Sequence, residues 1–121
     1  NAKVSGNAKV FGNAKVSGDA WISGDAEVFG NAKVFGNAKV FGDIIQSDRD
    51  IFSITSNEQW NITITPNYIK IGCQFHLKSK WFSYHDKTID KMDKNALEWW
   101  KVWKPILKQI CDTMKNKGEI K

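Results

Sequence analysis

The sequence predicts a β-solenoid in the first third of the chain, followed by a small α+β module. The first observation behind this is a six-residue unit that occurs seven times in succession and ends at Gly42. The second is that the period stops there and gives way to alternating and then helical apolar patterns. A strict short period is typical of a solenoid, in which each unit buries its apolar side by stacking on the next. We therefore predict two domains, residues 1–46 and residues 47–121.

Each repeat unit has the composition of a short strand and a corner. The copies read NAKVSG, NAKVFG, NAKVSG, DAWISG, DAEVFG, NAKVFG and NAKVFG. Alanine and the following Val or Ile are two positions apart, which is the strand period, so both side chains point to one face. Glycine followed by Asn or Asp suits a tight corner with a positive φ. A helix would be strongly destabilised by a glycine at every sixth position.

The unit resembles the hexapeptide repeat of left-handed parallel β-helices, which carries an aliphatic residue at every sixth position and a small residue two before it. The resemblance covers residues 1–42. It implies a triangular coil, three units per turn and a left hand. Ser or Phe follows the aliphatic residue here, so the unit is more similar to the long Gly-Asn-Ala-x-Val arrays of bacterial and prophage proteins than to the family's acyltransferases.

Three units per turn would place each residue beside its counterpart in the third unit after it, with a spacing of about 4.8 Å along the axis. Lys3, Trp21 and Lys39 would then share one side, and Phe11 would stack on Phe29. The chain starts in mid-pattern, so we also expect further repeats upstream.

Outward aromatic side chains are the expected interaction surface, because a solvated surface does not need phenylalanine on every side. We expect the C-terminal module to cover at least one phenylalanine of the last coil, and the others to contact a second copy or a partner. Two tryptophans of the last predicted helix join this set, because tryptophan often anchors interfaces. The candidate interaction residues are Phe11, Phe29, Phe35, Phe41, Trp21, Trp99 and Trp103.

The residues after the repeats predict about three antiparallel strands and two helices. Residues 43–46 begin like an eighth unit and then break the pattern, and residues 47–50 form a polar linker. Strands are predicted at 51–55, 60–65 and 68–73, and turns at 56–59 and 66–67.

The predicted helices are 79–92 and a second one from Asp93 or Asn95 to about Met114, with Gly118 as the stop signal. Pro105 should kink or divide the second helix. The order of elements and the Ile71-Gly72-Cys73 step resemble the short module that follows hexapeptide arrays in some bacterial and phage proteins. This resemblance implies a phage or prophage protein.

The net charge and the cysteine content restrict the classes of partner and the cellular compartment that we expect. The net charge of +5 is spread over lysines in both parts of the chain, which is typical of a solvated face and disfavours a nucleic-acid partner. Cys73 and Cys111 lack any paired metal-binding spacing, which predicts reduced thiols in a reducing compartment. Together with the resemblance to bacterial and phage proteins, this implies the cytoplasm of a bacterial or phage-infected cell. No stretch has the length of a membrane span.

Two enzymatic hypotheses are weaker than the binding hypothesis. An acyltransferase of the β-helix family needs a histidine base, and residues 1–42 contain no histidine. Cys73, His85 and Asp86 have the residue types of a nucleophile, a base and an orienting carboxylate. However, we expect Cys73 in the core and His85 on the apolar stripe of its helix. A zinc site at His76 and Cys73 lacks two further ligands.

We therefore predict no catalytic, cofactor or metal site. The predicted function is that of a non-enzymatic structural or interaction protein that forms a dimer or trimer or binds a protein partner. Two alternatives stay open: a phage-encoded inhibitor that binds a host defence protein sterically, and a hexapeptide-repeat acyltransferase.

Overall fold

The computed structural model describes residues 2–46, 50–54 and 60–116. The chain divides into two compact units, Asn1–His76 and Leu77–Lys121. The predicted boundary after residue 46 lies inside the first of these units. The polar linker at 47–49, the turn at 56–59 and the helix stop at Gly118 lie outside the described residues.

The repeats form strands of two or three residues, one from each unit. The strands up to residue 45 are β1 Lys3–Val4, β2 Lys9–Val10, β3 Lys15–Val16, β4 Trp21–Ser23, β5 Glu27–Val28, β6 Lys33–Val34, β7 Lys39–Phe41 and β8 Ile44–Ile45. They pair in parallel as three small sheets, in the orders β1-β4-β7, β2-β5-β8 and β3-β6. Each unit therefore pairs with the third unit after it.

The predicted register of three units is confirmed for the seven regular units. Lys3 pairs with Trp21 and Trp21 with Lys39, and Lys15 pairs with Lys33. The glycine corners take the predicted positive φ, with values between +61° and +68° from Gly6 to Gly42. Local sequence therefore determined both the strands and the corners.

The predicted fold class is wrong. The described residues form several small parallel and antiparallel sheets and three helices, with no closed or solenoid sheet, and a left-handed parallel β-helix is not shown. Strands of two or three residues make only a few bridges each, and the three parallel sheets share no strand, so no sheet continues from one side to the next. The predicted count of three strands and two helices after the repeats is also wrong, because the described residues there form four strands and three helices.

The inward side chains of the repeats form a continuous apolar core. Alanine and Val or Ile alternate inside it, as the two-residue period predicts. Its nine buried members, each at most 1% exposed, are Ala20, Ile22, Ala26, Val28, Ala32, Val34, Ala38, Val40 and Ile45.

The eighth unit pairs in a different register from the others. Glu27 pairs with Ile44 and Val28 with Ile45, so the partner lies one position earlier in the chain than the regular spacing would place it. The Glu27 N–H donates to the Asp43 carbonyl, in the way that the Lys9 N–H donates to the Ala26 carbonyl. Asp43 therefore stands at the inward position that alanine occupies elsewhere, where it is 3% exposed.

An antiparallel sheet completes the first unit. Its strands are β9 Phe52–Ile54, β10 Ile62–Ile64, β11 Tyr68–Ile71 and β12 Gln74–Leu77, in the order β12-β11-β10-β9. The first three confirm the predicted meander, whereas β12 was not predicted. Both faces of β10 are buried, because Ile62 and Ile64 lie on one face and Thr63 on the other. The Thr63 hydroxyl accepts a hydrogen bond from the Lys39 N–H at 3.2 Å, so β10 lies against the last repeats.

The second unit contains three helices, α1 Lys78–Ser83, α2 Asp86–Asp90 and α3 Ala96–Asn116. The predicted single helix over 79–92 is wrong, because Tyr84 and His85 are extended, with ψ values of 137° and 157°. Helix α3 is continuous through Pro105, so the predicted division into two helices does not occur. No helix in the described part of the chain is long and apolar enough to cross a membrane.

Large aromatic side chains form the core of the second unit. Trp81 and Trp100 lie with their ring centroids 5.4 Å apart, and Trp99 and Trp103 are stacked at 5.6 Å. Leu107, which lies two turns after Trp100 on the same face of α3, is fully buried. This core confirms the predicted apolar stripe of the last helix.

Candidate functional site

The outward positions of the first parallel sheet carry a lysine–tryptophan–lysine row. Lys3 and Lys39 place their Nζ atoms 5.2 and 5.6 Å from the ring centroid of Trp21. The parallel pairing of β1, β4 and β7 brings the three side chains together. A cation near an aromatic face is attracted by the ring quadrupole, so this row is held in a defined conformation. Trp21 nevertheless keeps 41% of its surface exposed.

Phe11 and Phe29 form a second outward pair. Their rings are stacked with centroids 5.0 Å apart and planes 5° apart, as three units per turn predicted. Phe11 is still 47% exposed, whereas Phe29 is half-buried. The pair therefore offers one accessible aromatic face supported by a second ring.

The two remaining repeat phenylalanines have different surroundings. Phe41 is half-buried and meets Phe75 edge to face at 5.3 Å. Phe35 is 63% exposed, the highest exposure among the large apolar residues described. The expectation that the segment after the repeats covers at least one phenylalanine of the last coil is confirmed for Phe41.

Phe35 lies beside an apolar groove of about 520 Å³ within the first unit. The groove runs between the last repeats and the start of the antiparallel sheet. Its lining residues are Lys33, Val34, Phe35, Gly36, Ala38, Ile51 and Ser53. The exposed ring of Phe35 thus adjoins further apolar surface.

The tryptophan candidates of the second unit are less accessible. Trp99 is 9% exposed and Trp103 is half-buried, and the two rings stack on each other. In the described structure both contribute to packing of the helices. The accessible candidates are therefore the repeat residues Phe11, Trp21 and Phe35.

Cys73 and His85, the nucleophile and base of the enzymatic hypothesis, do not lie where the sequence predicted them. Cys73 is exposed rather than in the core. His85 is exposed and precedes α2 in an extended conformation, so it does not lie on a helical stripe. The remaining thiol, Cys111, is buried, and burial raises its pKa, which disfavours a reactive thiolate.

The described residues contain no group of three or more His, Cys, Asp or Glu side chains that could hold a metal ion. His76 makes a different contact, because its Nε2 lies 2.8 Å from the Gln74 Oε1. These side chains are neighbours on the same strand, β12.

Two polar groupings were missed by sequence reasoning. The first is Asp43, whose carboxylate accepts hydrogen bonds from the Thr65 hydroxyl at 2.7 Å and from the Asn67 N–H at 2.9 Å. The second is a small polar cavity that contains Lys39 and Lys70. No local pattern could have revealed either one, because both join side chains that are far apart in the chain.

No protein-family model, no curated protein and no solved structure matches this chain. The resemblance to hexapeptide-repeat proteins of bacteria and phages therefore rests on the repeat residues themselves and stays a prediction.

Proposed function

We propose that this chain is a non-enzymatic structural or interaction protein that self-associates, as a dimer or trimer, through the outward aromatic residues of its repeats. The observation that carries the proposal is the exposure of Phe35, at 63%, beside an apolar groove. Exposed apolar surface of this kind is typical of sites of protein association.

The repeats support this role because they present these side chains on a well-packed base. The apolar core beneath Trp21 and Phe35 is at most 1% exposed, and the outward rows are in register from one unit to the next. A preordered surface loses less conformational entropy on association than a mobile one. Further exposed apolar residues of the same segment are Val4, Phe11, Trp21 and Ile44.

The natural variation at the fifth position of the repeat unit provides a test of self-association. Ser occupies this position in three units and Phe in four, so the backbone accommodates serine there. We expect the double variant F11S/F35S to raise the dissociation constant of the oligomer at least about tenfold, because two exposed rings leave the interface. The measurement is absolute mass by light scattering on a sizing column across a dilution series.

Phe41→Ser is the matched control. It removes a ring that packs inside the unit against Phe75, so it should lower the melting temperature and have less effect on association. F11S/F35S should leave the melting temperature of the dilute protein within about 2 °C of wild type, since exposed substitutions change stability little. A wild-type protein that stays monomeric at every concentration would contradict self-association and leave the surface for a different protein.

We also propose a cytoplasmic location in a bacterial or phage-infected cell. Support comes from the two free cysteines, of which Cys73 is exposed and would be open to oxidation outside a reducing compartment.

A further inference from the structure

A small polar cavity lies where β7, β10 and β11 come together in the first unit. Its volume is about 30 Å³, close to the share of one water molecule in the liquid. It is lined by Asn37, Lys39, Asn61, Thr63, Lys70 and Gly72. The lining residues include two lysines, two asparagines and one threonine, and no acidic residue.

Thr63 lines this cavity and provides a hydroxyl group that can donate a hydrogen bond. Thr63 is 5% exposed, and its Oγ1 accepts a hydrogen bond from the Lys39 N–H at 3.2 Å. A hydroxyl has one hydrogen to donate. The bond from Lys39 uses only an acceptor site of this hydroxyl, so its hydrogen can still be donated. A ligand with acceptor atoms would satisfy it.

Backbone contacts shape the other side of the cavity. The Gly72 N–H donates to the Asn61 carbonyl at 3.0 Å, which extends the antiparallel pairing of β10 and β11 by one residue. The Lys70 Nζ donates to the Gly72 carbonyl, so the ammonium group is held at the cavity. Lys70 thus has a fixed position beside the side chains of Asn61 and Thr63.

The electrostatics of the cavity favour an anion. Burial lowers the pKa of Lys70 first, the positive charge of Lys39 lowers it further, and Cys73 opposes both. Two ammonium groups that repel each other are stabilised by an anion placed between them. The ligand must be rich in acceptors and small, since the cavity admits little more than one oxygen-sized group.

We propose that Lys39, Lys70 and Thr63, with the amides of Asn37 and Asn61, form a binding site for a phosphate group. One or two phosphate oxygens would enter the cavity, accept from the ammonium groups and from the Thr63 hydroxyl, and leave the rest of the ion at its mouth. This site shares Lys39 with the outward lysine–tryptophan–lysine row. The phosphate could be the free inorganic ion or a phosphoryl group carried by a larger molecule.

The test is a titration of the full chain with sodium phosphate, followed by two-dimensional NMR of ¹⁵N-labelled protein at constant ionic strength kept by sodium chloride. We expect saturable shifts of the Thr63 and Gly72 amides and of the Asn61 side-chain amide. The dissociation constant should be on the order of millimolar, because a five-atom ion at a partly open site reaches a small part of the attainable affinity. A parallel titration with O-phosphoserine distinguishes the sources, since tighter binding of the ester assigns the site to a carried phosphoryl group.

Variants distinguish a specific phosphate site from general attraction of phosphate to surface lysines. Lys70→Met should raise the dissociation constant about tenfold, because a charge-assisted hydrogen bond is lost. Lys15→Met removes an exposed repeat lysine of the same charge and should leave the constant unchanged. Asn61→Ala, at an exposed position, is the second site variant and serves if Lys70→Met alters the fold.

A second readout is the pKa of Lys70, measured by NMR of its side chain. Saturating phosphate should raise it, because the anion stabilises the ammonium form against the effects of burial and of Lys39. The proposal is overturned if the shifts stay linear with phosphate concentration, if Lys15→Met reduces them as much as Lys70→Met, or if the pKa of Lys70 does not move.

Discussion

The repeat segment, residues 2–46, and the helical unit, residues 77–116, are stabilised in different ways. The repeat core consists of alanine and β-branched side chains placed by backbone pairing in a constant register. The helical core consists of a few large rings, of which Trp81 and Trp100 are the most buried. The comparison indicates that the repeats depend on backbone geometry and the helices on side-chain volume. Substitutions of matched type in the two regions should therefore differ in effect.

The largest expected effect is that of Trp100→Ala in the helical unit. Trp100 is 3% exposed and contacts Trp81 and Phe82, so its removal leaves a cavity that costs about 3–5 kcal/mol. The same deletion at Trp21 removes an exposed ring and two cation contacts, and should cost about 1 kcal/mol. Urea unfolding followed by circular dichroism measures both. Equal losses would contradict the role of Trp100 as a buried core residue of the helical unit.

The second effect concerns Asp43, the inward carboxylate at the end of the repeats. Asp43→Ala removes the acceptor of the Thr65 hydroxyl and of two Asn67 groups, the N–H and the Nδ2 at 3.2 Å. We expect a loss of about 2–4 kcal/mol, because buried donors are left unsatisfied.

Asp25→Ala is the matched control for Asp43→Ala, since Asp25 is an exposed corner aspartate of an earlier unit. It should change the free energy of unfolding by less than about 0.5 kcal/mol. If both variants melted at the same temperature, Asp43 would not join the repeats to the β10–β11 turn.

The third effect tests the dependence of the repeats on backbone spacing. Gly30 and Gly36 have nearly equal φ values, +65° and +64°, so an alanine is similarly strained at both, by about 1 kcal/mol. A Cβ at position 30 would lie 2.5 Å from the Gln46 carbonyl oxygen, whereas at position 36 nothing lies within 4 Å.

Gly30→Ala should therefore cost about 1–3 kcal/mol more than Gly36→Ala, since backbone has to move. Thermal unfolding of the two variants measures this difference. Equal destabilisation would show that φ strain alone matters and that the spacing between units is adaptable.

The smallest effect is a pH dependence in the helical unit. Burial raises the pKa of Cys111 above its ordinary value, so above pH about 8.5 the unfolded chain loses this proton before the folded one. The folded state then binds more protons, and stability falls as the pH rises through that window.

Unfolding at pH 7 to 10 should show this fall in the wild-type protein and a shallower fall in Cys111→Ala. Cys73→Ala removes the exposed thiol and should retain the part of the fall that Cys111 causes. A wild-type slope in Cys111→Ala would assign the alkaline loss to other groups.

Much of the secondary structure could be predicted because it depends on neighbours in the sequence. The six-residue period placed the short strands and their positive-φ corners, and the alternation around Ile62 and Ile64 placed β10. The stripe from Ala96 to Met114 predicted α3. Tertiary packing overrode local signals elsewhere, since α3 continues through Pro105 and the predicted helix over 79–92 breaks at Tyr84 and His85.

The sequence by itself determined the repeat strands and the outward positions of their aromatic residues, because backbone dihedrals and side-chain alternation are local properties. The pairing of each unit with the third unit after it was implied by the resemblance to hexapeptide repeats, since the six-residue spacing alone does not fix the number of units per turn. Only the tertiary structure decided that the sheets stay small and separate, that the eighth unit shifts its register, and that Asp43 turns inward. The same holds for the cavity of Lys39, Thr63 and Lys70. These features depend on the pairing of polar groups that are distant in the chain, and a buried carboxylate or hydroxyl is acceptable only when such partners are brought to it.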